Sequence, residues 1–122
     1  MARTTVTPKA VPGGYPVLQP AVNSLDFAFV AADVPNKNQA VSTGRELILV
    51  QNSDPTNPYT VTFTSIVDDL NRPGDITAYT LQANEFAVFG PFPQKGWRQS
   101  DAMLYFEGSN AAIKFAVLTL NS

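Results

Sequence analysis

Apolar and polar residues alternate with a period of two along most of this chain, and that pattern predicts strands. The clearest case is Tyr59–Ser65, where Tyr59, Val61 and Phe63 point one way and three threonines point the other. Ile66 and Val67 extend it towards Asp68. Leu25–Ala31 reads as an earlier strand, with Leu25, Phe27 and Phe29 on one face. Glu46–Gln51 holds the unbroken run Leu47-Ile48-Leu49-Val50, which predicts a strand buried on both faces. Further strands are expected at Ile76–Leu81, from Glu85 to Phe89, at Met103–Glu107 and at Ile113–Leu120, the last held inside a sheet. Gly90, Pro91 and Pro93 are expected to stop the strand that begins at Glu85, because proline has no N–H for a ladder. That segment ends in an aromatic corner of Phe92 and Trp97.

Turn residues separate these segments. Val34–Asn38, Asn52–Pro58, Asn71–Asp75 and Gly108–Asn110 are rich in Asn, Asp, Pro and Gly, which favour turns through local hydrogen bonds and fixed or positive φ. No segment carries a helical period, and Asn38–Thr43 has room for one helical turn at most. Ahead of the strands, Pro8, Pro12, Pro16 and Pro20 recur every fourth residue, with Gly13-Gly14 between them. This excludes a helix or a central strand. The expectation is therefore an all-β protein. Residues 1–24 form an extended proline-rich N-terminal arm, and 25–122 form an antiparallel β-sandwich of jelly-roll or Greek-key type with about seven or eight strands. The arm carries Val6, Val11, Tyr15, Val17 and Leu18, so it either lies on its own domain or clasps a neighbouring subunit.

Composition narrows the chemistry. The 122 residues include no cysteine and no histidine. Disulfides, thiol catalysis, thiolate metal sites and histidine-based triads are excluded. Eight basic and ten acidic residues give a net charge of −2, without the basic stripe of a nucleic-acid binder. No apolar run reaches bilayer length and the N-terminus has no secretory pattern, so a soluble protein made in a cytoplasm is expected. Asp68, Asp69, Asn71 and Asp75 form an acidic cluster, but their spacing fits a turn better than a calcium loop. Trp97 lies between Lys95 and Arg98, an arrangement suited to a packed or contact tryptophan. No catalytic residue, metal ligand or cofactor is expected.

Gly44–Leu120 resembles the small β-sandwich capsid decoration (cement) proteins of tailed bacteriophages. The resemblance rests on Gly44–Asp54 (GRELILVQNSD), the turn Asp69–Thr77 (DLNRPGDIT), the corner Glu85–Phe92 (EFAVFGPF) followed by Gly96-Trp97, and the closing Lys114–Leu120 (KFAVLTL). It implies a binding role without a reaction, carried out on the virion surface. The partners would be the major capsid protein and neighbouring copies of the same chain, possible as a trimer at the threefold positions of a shell. Nucleic acid and membrane are not expected partners. The arm is similar to those by which such proteins grip neighbours. The expected contact residues are Val11, Tyr15, Val17 and Leu18 on the arm, with Phe92 and Trp97 at the corner. Two rival expectations are another virion subunit, in tail or neck, and a carbohydrate-binding sandwich that stacks sugars on Trp97, Tyr59, Tyr79 and Tyr105.

Overall fold

A computed structural model of the chain describes residues 3–11, 27–66 and 74–120. Within them the alternating segments become strands. β1 is Thr4–Thr5, β2 Lys9–Ala10, β3 Val30–Ala31, β4 Asn38–Val41 and β5 Glu46–Asn52. β6 is Tyr59–Thr64, β7 Ile76–Leu81, β8 Phe86–Phe92, β9 Met103–Gly108 and β10 Ile113–Thr119. Among the described residues these make two five-stranded sheets. The first has the order β1-β4-β9-β6-β7; the second runs β2-β10-β5-β8, with β3 also paired to β10. The architecture is that of a β-sandwich. The chain changes sheet at every step from β3 to β10 except the β6–β7 turn, so each sheet's inner face is built from distant parts of the sequence.

The inner faces follow the expected parity. Val61 and Phe63 of β6, Leu104 and Phe106 of β9, and Ile113, Phe115 and Val117 of β10 are buried. Rings link the two layers: Phe63 lies 4.7 Å from Phe89 and 5.1 Å from Phe92, and Phe106 lies 4.7 Å from Phe115. β10 is interior to its sheet, between β5 on one side and β2 and β3 on the other.

Several expectations are corrected. The sheets are mixed rather than antiparallel, because β1 pairs parallel to β4 and β2 parallel to β10. Residues 3–11 thus lie on their own domain, crossing from the edge of one sheet to the edge of the other. Arg3 Nη1 donates to the Asn38 carbonyl at 2.9 Å, and its guanidinium sits 4.0 Å from the Tyr105 ring centroid. Val6 is 2% exposed and closes the core on this side. Thr4 and Asn36 donate to the Asp33 carboxylate, which holds that group below its ordinary carboxylate pKa. The remainder of the expected arm, residues 12–24, lies outside the described residues.

Asn38–Thr43 holds β4 instead of a helical turn. Its four-residue pairing with β9 outweighs the weak strand preference of Asn and Gln. The strand expected at Leu25–Ala31 is limited to Val30–Ala31, and Leu25 and Asp26 lie outside the described residues. Phe27 and Phe29 do not join the ladder; their rings meet edge-on at 5.7 Å. Glu46–Asn52 buries one face completely and the other only in part. Ile66 is exposed beyond the end of β6, and Val67 is outside the described residues.

β8 does not stop at Gly90. It continues through Pro91 to Phe92, because β8 is an edge strand and a proline there need not break a ladder on both sides. The register shifts between Glu46 and Ile48, a bulge that brings Phe92 back to the inner face three residues after Phe89. Gly90 permits this bend: its φ is 109°, and a Cβ there would lie 2.6 Å from the Glu46 carbonyl oxygen. Gly90→Ala is therefore expected to cost at least ~2 kcal/mol. Urea denaturation checks this, and an unchanged midpoint would contradict the account of the bend.

Candidate interaction surface

The two outer faces of the sandwich differ in chemistry. On the first sheet, Thr60, Thr62 and Thr64 of β6, Gln39 of β4 and Tyr105 and Glu107 of β9 point outward, opposite to their buried neighbours. Apart from the Val41–Met103 pair at one end, this is the polar face of a half-solvated sheet. Lys37 and Glu107 add an exposed ion pair at 3.6 Å, of little energetic weight.

The second sheet is largely apolar on both sides, with Lys114 and Gln51 on the outer face and Glu46 and Asn52 at the ends of the inner one. Its outer face carries Leu47 and Leu49 of β5, Phe86 and Val88 of β8, and Ala116 and Leu118 of β10. The registers set them side by side. Leu118 pairs with Leu47, and Ala116, Leu49 and Val88 form one row across three strands. Lys114, Gln51 and Phe86 form the next row. Phe29 lies 6.1 Å from Phe86 although β10 and β5 separate β3 from β8. The chain just before β3 therefore runs over this face. Phe86 remains 66% exposed and Val88 63%. Scattered surface hydrophobes are ordinary, but a contiguous patch edged by polar groups marks a contact surface.

The expected contact residues are placed unequally. Phe92 is 4% exposed, stacked on Phe63 and packed edge-on against Trp97 at 4.8 Å, so its ring belongs to the core. Trp97 is half-buried against that core. Val11 is half-buried at the sheet edge, where its N–H donates to the Thr119 carbonyl at 2.8 Å. Tyr15, Val17 and Leu18 lie outside the described residues. Phe92 and Trp97 pack together, whereas Val11 lies across the second sheet from them, beyond β10 and β5. The residues that are together, Phe86, Val88, Leu47 and Leu49, are not among the contact residues the sequence predicts. Their signal was present in Leu47–Val50 and Phe86–Phe89, which are apolar at consecutive positions, but alternation alone does not say which side faces solvent.

The four rings suggested for sugar stacking have different surroundings. Arg3 covers the Tyr105 face, and Tyr79 meets Phe89 edge-on at 5.3 Å. Tyr59 and Trp97 pack against the core. Several of the described acidic residues serve turns or loops. Asp75 accepts from the Ser65 N–H and hydroxyl, both at 2.7 Å, while Asp68, Asp69 and Asn71 lie outside the described residues. Backbone N–H groups of Thr56 and Asn57 hold Asp54 below its ordinary pKa. Among the described residues no three acidic side chains gather into a metal-holding group, and no helix is long and apolar enough to cross a membrane.

A buried polar corner, unmarked by any sequence pattern, closes one end of β5. Glu46 is 1% exposed, and its carboxylate accepts from the N–H groups of Thr43, Gly44 and Arg45 at 2.8, 3.1 and 3.3 Å. The Thr43 and Thr119 hydroxyls complete the set at 2.5 and 3.3 Å. Every one of these partners is a donor, which suits a carboxylate as acceptor and makes Glu46 structural. No known protein family, curated protein or solved structure matches the chain.

Proposed function

We propose that this protein is a non-enzymatic structural component of a bacteriophage virion, a capsid decoration protein that binds the assembled head shell and stabilises it. The observation that carries the proposal is the contrast between a threonine-rich outer face and an apolar one, with Phe86 and Val88 mostly exposed. A protein that stands on a shell needs one face for the shell and one for water. The strand order supports a jelly roll. Apart from β1 and β2, the sheets are β3-β10-β5-β8 and β4-β9-β6-β7, with every pair antiparallel, as in a jelly roll. That architecture is common in virion proteins and lectins, and fold by itself assigns neither role. The resemblance of Gly44–Leu120 to decoration proteins favours the first. The absence of cysteine and histidine from the sequence, with no three acidic side chains gathered among the described residues, supports a role without catalysis.

The mechanism is linkage. A protein that binds only the assembled shell stabilises that state by its binding free energy, and weak contacts repeated on a lattice reinforce one another. The test is co-sedimentation of purified protein with mature shells that lack it. Wild type is expected in the pellet. Phe86→Ser with Val88→Ser is expected to bind at least ~10-fold more weakly, given the apolar area removed. Thr60→Lys with Thr62→Lys, on the opposite face, is expected to bind as wild type. Wild type remaining in the supernatant would overturn the decoration role. Equal pelleting of the Phe86/Val88 variant would overturn the choice of face.

A further inference from the structure

We infer that the free edge of β8 receives an extended segment of the shell subunit as an additional strand of the second sheet. This rests on the decoration reading, and it specifies how the partner is held. The direction of the β8 backbone follows from two hydrogen bonds. Asn52 N–H donates to the Glu85 carbonyl at 2.9 Å, and on the other side of β5 Ser53 N–H donates to the Ala112 carbonyl at 2.9 Å. Antiparallel pairing alternates hydrogen-bonded and non-bonded pairs. With the register Gln51–Phe86, Val50–Ala87, Leu49–Val88 and Ile48–Phe89, the backbones of Glu85, Ala87 and Phe89 face β5. Those of Phe86 and Val88 face away, and among the described residues no strand other than β5 pairs with β8.

The same two residues carry the most exposed large hydrophobic side chains of the described residues, so unpaired backbone and unpaired apolar surface coincide. Phe86–Phe92 contains no charge, and Pro91 comes too late to blunt the edge at Phe86 and Val88. Charge, proline and bulges at the right place are what normally protect an edge. The other edges are treated differently. β1 covers β4, and β2 and β3 cover β10, all from the same chain. β7, the edge of the first sheet on the β8 side, is interrupted by a register shift and by Ala78 at a φ of 52°.

An edge of this kind selects an extended backbone with apolar side chains at alternate positions and no proline where it pairs. The two side chains expose on the order of 200 Å², far below the ~800 Å² per partner of a stable free-standing complex. A second copy in solution is therefore a poor occupant. A shell segment fits, because the lattice supplies the remaining contacts.

Residue-resolved amide hydrogen exchange of the full-length protein, free and pelleted with shells, tests this. In the free protein the Phe86 and Val88 amides are expected to exchange fast, with Ala87 and Phe89 slow. On shells, Phe86 and Val88 are expected to slow at least tenfold. Val88→Pro removes one outward N–H without touching the β5 ladder and is expected to weaken pelleting at least tenfold; Val88→Thr, which keeps that N–H, is expected to weaken it less. If the protein pellets while the Phe86 and Val88 amides are unchanged, the strand-addition inference fails and decoration stands. If the protein does not pellet at all, decoration fails and the inference fails with it. Slowing of these amides in free protein with rising concentration would name a second copy as the occupant and overturn the assignment to the shell.

Discussion

Phe63→Ala is expected to leave the protein about 3–5 kcal/mol less stable, enough to unfold a marginal domain. The size of the effect follows from position. Phe63 is fully buried on β6 of the first sheet, and its ring meets Phe89 and Phe92 of the second at 4.7 and 5.1 Å. Phe106, on its own sheet, lies 5.9 Å away. Removing the ring deletes three aromatic contacts and opens a cavity between layers held apart by their remaining side chains, so collapse relieves little of the loss. Phe63→Leu keeps most of the volume and is expected to cost less. Equilibrium denaturation in urea reads both variants. An alanine variant with the wild-type midpoint would contradict the packing described here.

Glu46→Ala is expected to cost about 3 kcal/mol and Glu46→Gln about 1 kcal/mol. The carboxylate fastens the turn that carries the chain from β4 to β5, and through Thr119 it ties that turn to the end of β10. Alanine removes every acceptor and leaves the Thr43, Gly44 and Arg45 N–H groups to whatever water can reach them. Glutamine keeps one acceptor oxygen and loses the charge. The ordering, alanine well below glutamine and glutamine just below wild type, is the diagnostic result in thermal unfolding. A Glu46→Ala protein as stable as wild type would mean that the buried corner contributes nothing. The same corner holds the Gly90 bend, since the Glu46 carbonyl is what a Gly90 side chain would strike. Losses from Glu46→Ala and Gly90→Ala are therefore not expected to add.

The parts of this fold legible in the sequence are those where one face is apolar and the other polar. Tyr59–Thr64 and Met103–Gly108 alternate cleanly, and their inner faces follow from the pattern. β4 was not legible, because Asn38 and Gln39 are poor strand formers and Asn38 is buried only through hydrogen bonds to the Asp33 and Thr4 backbones. The parallel strands β1 and β2 were hidden for a related reason. Two-residue strands have no period, and prolines nearby argue only against longer ones. The candidate surface was the least legible. The unbroken run Leu47–Val50 predicts burial on both faces, whereas its outer half joins Phe86 and Val88 on a partly open face. Conversely Phe92, a residue expected to touch a partner, closes the core because a bulge turns it inward.

The most direct measurement is a cryo-electron microscopy map of the intact particle. The proposal predicts density for this protein on the outer surface of the head, with the β2-β10-β5-β8 sheet and the β8 edge against the shell and the threonine-bearing sheet towards solvent. Density in the tail or neck, none on the shell, or the threonine face seated on the shell would contradict it.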